Sequence, residues 1–386
     1  MSAVDSAAMV AWRREIHRHP ETAFQEHRTA AFVVDRLREF ARESDGEIEI
    51  ATGIAGTGIV ATIRGRAGDG PAIGLRADLD ALPMAEHNDF AHRSVHDGRM
   101  HACGHDGHTT MLLGAARELA RTRNFRGAVH CIFQPAEENE GGGRAMIADG
   151  LFERFDCEAV FGLHNWPGLA TGKIAVQSGP VMAAYDNFDL VLIGRGGHAA
   201  MPHQGVDPVV LAAQTIQAFQ TLVSRNDPLD PVVISVTQMA AGHAYNIIPD
   251  QVVLKGTVRA FRGETRDRIE AAMRRTVQGL CAAAGATFTF DYGRCYPPTI
   301  NTPKESEFVA QLVAEVFGTD ALVRDYPPSM GSEDFSFMLE QRPGCYVKLG
   351  AGAGPGLHNP RYDFNDAILP IGAAFWVALA ERYLRA

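Results

Sequence analysis

Apolar residues along this chain follow two alternating spacings, and the elements they predict come in a regular order. Residues 10–42 carry Trp12 and Ile16, then Ala30, Val33, Val34 and Leu37, at helical spacing, with a break at Pro20. Short apolar runs at 58–63 and 72–78 predict strands. A helix over 109–123, a buried strand over 128–133, a short helix near 145–149 and a strand over 159–164 follow. From about residue 184 the texture changes to strand 188–194, helix 208–224, strand 232–238, strand 251–260, helix 266–284 and strand 287–292. That β-α-β-β-α-β order predicts a ferredoxin-like α+β domain inserted into a larger α/β domain. The chain then returns to helix 305–317, strand 344–350 and a closing helix 371–385, with Pro370 suited to its first turn. No internal repeat or low-complexity segment interrupts this plan.

Several predicted strands end in residues capable of chemistry. Asp78 and Asp80 close the strand over 72–78; two apart, they are expected on one face. Glu137 and Glu138 follow the strand over 128–133 and precede the turn Gly141-Gly142-Gly143, and His164 closes the strand over 159–164. Such positions suit a site at the carboxyl edge of an open α/β sheet, although carboxylates there also cap turns. The stretch 56–61 formally matches a dinucleotide fingerprint, but it opens a β-branched run and no helix follows.

Residues 101–108, His-Ala-Cys-Gly-His-Asp-Gly-His, pack three imidazoles, a thiol and a carboxylate into eight positions. Cys103 and His105, separated by Gly104, can turn toward one point, and thiolate with imidazole suits a borderline divalent ion such as Zn, Mn, Ni or Co. A buried cysteine beside solvent-facing histidines is the alternative. A turn rich in glycine and proline over 350–356 leads to His358, either placing it or leaving it an exposed loop residue. In the inserted segment His198, Asn246 and Arg259 are functional candidates that also fit ordinary loop and strand positions.

Composition narrows the classes. The chain has 386 residues and a formal charge of −10, with no basic run, so nothing suggests a nucleic-acid face. No apolar run approaches a membrane span, and residues 1–12 lack the basic and apolar regions of a secretory signal. Six scattered cysteines without CxxC spacing point to a reducing cytoplasm.

Eight motifs in order resemble the M20 peptidase family, in particular its amidohydrolase branch of aminoacylases, hippurate hydrolases and auxin-conjugate hydrolases. They are 75–83 (LRADLDALP), 100–108 (MHACGHDGH), 134–138 (QPAEE), 162–164 (GLH), 196–203 (GGHAAMPH), 246–249 (NIIP), 331–335 (GSEDF) and 357–359 (LHN). The resemblance implies a zinc-peptidase-like catalytic domain over 1–183 plus 298–386 and a lid over 184–297 that supports a homodimer. It implies Cys103, His105, Glu138, His164 and His358 as ligands of one or two divalent ions (Mn, Zn, Co or Ni), with Glu137 as general base. Asp80 would orient a ligand, His198 would polarise the scissile carbonyl of the partner subunit's site, and Asn246 and Arg259 would hold the substrate carboxylate. Many of the family carry His-x-Asp at the first motif; this chain has Asp78-Leu79-Asp80 together with Cys103, as the amidohydrolase branch does. The implied reaction is hydrolysis of small N-acyl-L-amino acids. A dipeptidase of the same chemistry, a hydrolase using Cys103 as nucleophile with His105 or His108 as base, and a non-catalytic binding module are the alternatives.

Overall fold

The structure, a computed structural model, describes residues 5–44, 48–138 and 140–385. It divides into two compact units, the first comprising Met1–Gly179, Ile300–Pro327 and Asp334–Ala386, the second Pro180–Thr299 and Pro328–Glu333.

The first unit is built on an eight-stranded mixed sheet. Its order is Ile48–Ile54, Gly58–Arg64, Ala128–Gln134, Ala72–Asp78, Ala159–Pro167, Gly344–Gly352, Ile174–Ala175, Leu322–Val323. The third to sixth of these run parallel, with Asp78 opposite Gln134 and Lys348 opposite His164. Every residue of Ala128–Gln134 is buried, as expected of a strand covered on both faces. Because the four central strands point the same way, Asp78, the Glu137-Glu138 loop and His164 all emerge toward one edge of the sheet.

The helix His105–Thr122 is buried over most of its length and packs against the closing helix Leu369–Tyr383. Met9, Leu113, Leu119, Phe375 and Trp376 join Leu75, Phe133 and Phe161 in one core. Each such side chain contributes about 1.5–3 kcal/mol relative to exposure.

The second unit has a four-stranded antiparallel sheet in the order Val232–Ala241, Gln251–Ala260, Ala184–Ile193, Thr287–Tyr296. Ala184–Ile193 buries alternate residues, and Phe188, Leu190 and Leu192 meet Phe219, Leu211, Met273 and Val277 of the helices Pro208–Ser224 and Gly263–Ala284. This core is separate from that of the first unit.

Some elements depart from the hydrophobic pattern. The helix expected over 109–123 begins at His105, because its first turn is polar but buried. Asp78 is the last strand residue, so Asp80 does not share a strand face with it. Ile48–Ile54, a half-exposed edge strand whose isoleucines at 48, 50 and 54 fall on alternate positions, was not among the expected strands. Pro328–Glu333 packs with the second unit, which periodicity did not anticipate.

Candidate metal centre

Gly104 adopts φ 92°, a left-handed conformation that glycine reaches without strain, and caps the helix that starts at His105. The turn sets Cys103 just outside the helix and His105 on its first residue. Cys103 Sγ lies 3.3 Å from His164 Nε2. His164 Nδ1 donates to the Asn165 carbonyl at 2.6 Å, so its Nε2 carries a lone pair. His105 Nδ1 faces the Asp80 carbonyl at 2.8 Å, which directs its Nε2 away in the same manner. Glu138 Oε1 stands 3.1 Å from His358 Nε2 and accepts no hydrogen bond from any described residue.

These donors form overlapping triads whose ligand atoms lie within 4.8 Å of one another: Cys103, His105, His164; Cys103, Glu138, His358; and His105, Glu137, Glu138. Cys103 is common to the first two.

The surrounding side chains have other tasks. His108 gives Nδ1 to Asp78 at 2.7 Å, while its Nε2 accepts the main-chain N–H of Asn165 at 3.0 Å. That nitrogen is therefore occupied, although Asp78, His105 and His108 also form a close triad. Asp78 is further held by Arg76 at 2.7 Å. Asp80 orients the carboxylate loop directly, accepting the N–H of Glu137 and of Glu138, each at 3.0 Å. Its carboxylate stands 3.3 Å from His105 Nδ1, so the expected orienting contact is made chiefly by the Asp80 carbonyl. Glu26 Oε1 accepts the N–H of Ala136 at 2.9 Å and its other oxygen accepts the Thr57 hydroxyl at 2.6 Å. His358 holds φ 61°, with its N–H on the Ala102 carbonyl at 2.8 Å. Positive φ in a non-glycine residue costs energy and persists where the surroundings enforce it.

Burial, then the nearby Glu138, Glu137 and Asp78 carboxylates, push the Cys103 thiol well above its usual range. Burial opposes a charged His105, yet Asp78 and Asp80 outweigh it and raise the ring to about 10. Burial, with His108 and His105 close by, holds His164 well below its ordinary value. The neutral His164 ring, the Cys103 thiol crowded by carboxylates and the Glu138 carboxylate face one another here, and the cluster carries enough negative charge to draw a proton onto His105. This donor set fits a borderline divalent cation.

His198, Asn246 and Arg259 belong to the second unit. His198 is exposed on the two-residue strand Gly197–His198, paired with Ile247–Ile248, and its Nδ1 accepts the Ala200 N–H at 3.1 Å. Asn246 is exposed, its carbonyl accepting the Ala199 N–H at 3.0 Å. Arg259 stacks 4.3 Å over the Tyr185 ring, gives Nη1 to Ser332 at 3.1 Å, and has no carboxylate partner among the described residues. Burial lowers its pKa. Glu26 and Asn165 were not singled out by the sequence. Glu26 precedes a helix and reads as an ordinary helix start, and no local pattern marks its contact with Ala136.

Residues 74–382 match the model of Peptidase family M20/M25/M40. The chain belongs to this family. Within it, the hippurate hydrolase of Campylobacter jejuni is 40% identical over 374 residues, covering 97% of this chain and 96% of the relative. The N-acyl-L-amino acid amidohydrolase of Geobacillus stearothermophilus is 44% identical over 298 residues, 76% of this chain and 78% of the relative. Among solved structures, the Bacillus subtilis YXEP protein, described as a dinuclear metal binding peptidase from the M20 family, superposes with a TM-score of 0.85. It is 34% identical and covers 98% of each chain. This M20 protein is thus a hydrolase with an α/β fold around a mixed sheet, and the matched range contains Cys103, His105, Glu137, Glu138, His164 and His358.

Proposed function

We propose that this protein hydrolyses the amide bond of small N-acyl-L-amino acids, releasing a carboxylic acid and a free amino acid. The observation that carries the reading is the gathering of the donors of Cys103, His105, Glu138, His164 and His358 beside Glu137. The names of its relatives among the hippurate hydrolases and N-acyl-amino acid amidohydrolases support the substrate class.

Cys103, His105, Glu138, His164 and His358 would hold the metal, and two triads sharing Cys103 favour two ions. A divalent ion held there would polarise the amide carbonyl and lower the pKa of the attacking water toward about 7. Glu137 takes the proton of the attacking water and passes it to the leaving amine. Asp80 keeps Glu137 in place through the backbone of the loop. His198 would donate to the developing oxyanion in the partner subunit's site. Arg259, whose fork has no carboxylate of its own among the described residues, receives the substrate carboxylate together with Asn246.

A nucleophilic Cys103 is disfavoured by the same geometry. Its thiol is pushed up rather than activated, and the two nitrogens of His108 are engaged by Asp78 and Asn165. The reading includes a lid formed by the inserted ferredoxin-like domain and a homodimer through it. The edge strand Val232–Ala241, with Met239 exposed, supports that surface. It also places the protein in the cytoplasm, supported by six free cysteines. Among the described residues no helix is long and apolar enough to cross a membrane.

The deciding experiment measures amino acid released from N-benzoylglycine and a panel of N-acetyl-amino acids, after chelation and after resupply of Mn, Zn, Co or Ni. Metal-restored cleavage is expected. Activity that survives chelation, or cleavage of dipeptides alone, overturns the reading.

A further inference from the structure

Asn165 has neither charge nor nucleophilic chemistry, yet several groups of the site converge on it. It is fully buried. Its side-chain Nδ2 donates to the Cys103 carbonyl at 2.8 Å and faces His108 Nε2 at 3.0 Å. Its Oδ1 accepts the buried Tyr362 hydroxyl at 2.7 Å, and its own carbonyl accepts His164 Nδ1. The amide orientation is fixed by chemistry, because the Cys103 carbonyl only accepts and must face the NH2 group.

The partners span the donor set. Cys103 lies outside the helix, so no helical hydrogen bond holds its carbonyl. Tyr362 gives its N–H to the Asn359 carbonyl at 2.9 Å, next to His358, and the His358 N–H returns to Ala102. Asn165 itself sits on the buried strand Ala159–Pro167 directly after His164. Gly104 completes the packing: a Cβ there would run into Asn165 Nδ2 and come within 2.6 Å of Tyr362 Oη.

We propose that Asn165 is a positioning residue, which ties Cys103, His164 and the His358 loop to one rigid strand and so holds the donors together before the metal arrives. The inference rests on the reading of these three residues as metal donors. Groups that orient ligands in this way typically change metal affinity by about 10–100-fold when removed.

The test uses Co²⁺, whose thiolate charge-transfer absorption reports the bond to Cys103, with affinity measured by competition against a chromophoric chelator. Asn165→Asp keeps the shape but removes both donors. It is expected to weaken Co²⁺ binding about 10–100-fold and to diminish the thiolate band. Tyr362→Phe, a milder change that frees one side of the amide, is expected to weaken binding in the same direction by less. It also decides the matter if Asn165→Asp does not fold. A purely structural role would lower the melting temperature of the chelated protein while leaving affinity and band intact in the folded variants, and that result overturns the proposal. Wild-type protein that binds no Co²⁺, or Cys103→Ala that binds it as tightly as wild type, overturns the metal-site reading and this inference with it. Normal wild-type binding with unchanged affinity in both variants overturns the inference alone.

Discussion

Ala136 holds φ 52° in the loop that bears Glu137 and Glu138, and three successive N–H groups there point at carboxylate oxygens. Glu26 takes the first, and Asp80 takes the second and third. The loop is thus fixed by its backbone, and Glu137 Oε1 in turn accepts the Asp334 N–H at 3.4 Å. Glu137→Gln is expected to lower kcat by about 10²–10⁴-fold, the usual contribution of a positioned base, while metal content stays at the wild-type level. Elemental analysis with steady-state kinetics checks this, and a wild-type rate removes Glu137 as the base. Glu26→Ala leaves the N–H groups of Phe24 and Ala136 without their acceptor. An orphaned buried group costs about 1–3 kcal/mol, so the urea midpoint should fall. Because the loop loses one of its three anchors, kcat should fall as well. An unchanged midpoint would show that the loop does not need Glu26.

The elements that carry these residues are joined by a buried ionic string. His17, on the helix Ser6–Arg18, reaches Asp106 Oδ2 through Nδ1 at 2.8 Å and Glu86 Oε1 through Nε2 at 3.2 Å; Arg13 Nε lies 2.9 Å from Asp106. Asp106 follows His105, so the string docks the N-terminal helix on the turn that holds the site. Burial opposes a charged His17, but Asp106 and Glu86 outweigh it and raise its pKa above the ordinary 6.5. The folded protein therefore binds this proton more tightly than the unfolded chain. The stability it adds is complete below about pH 6.5 and is lost as pH rises through the raised folded value. Comparing urea midpoints of wild type and His17→Gln across this range should show a gap that narrows toward alkaline pH; a constant gap removes His17 as its source. The same string explains what was legible. Apolar periodicity found the helix from Thr109 onward, since Met111, Leu112 and Leu113 face the core. It could not find the first turn, because His105, Asp106 and His108 are buried polar residues whose partners lie far away in sequence. Residue types and motif order marked Cys103, His164 and His358, all of which enter the donor triads. Spacing alone could not separate Asp78 from Asp80, whose tasks diverge once the strand stops at Asp78. Nor could it reveal Glu26 or Asn165, whose importance lies entirely in tertiary hydrogen bonds.

For the whole molecule, the donor residues all fall in the first unit, and the second has its own core around Phe188, Leu254 and Met273. A ligand that binds the folded state alone stabilises it by about 2.7 kcal/mol at a hundred times its Kd. At roughly 2–4 °C per kcal/mol for a unit of this size, metal should raise the melting of the first unit by roughly 5–11 °C. The second unit, lacking those donors, should melt at the same temperature with or without metal. Scanning calorimetry of chelated and metal-loaded protein should thus show two transitions, only one of which moves. A single transition that shifts as a whole would mean that the two cores unfold as one cooperative system despite their separate packing. Two transitions that both ignore the metal would mean that the donors around Cys103 bind it too weakly to matter for folding.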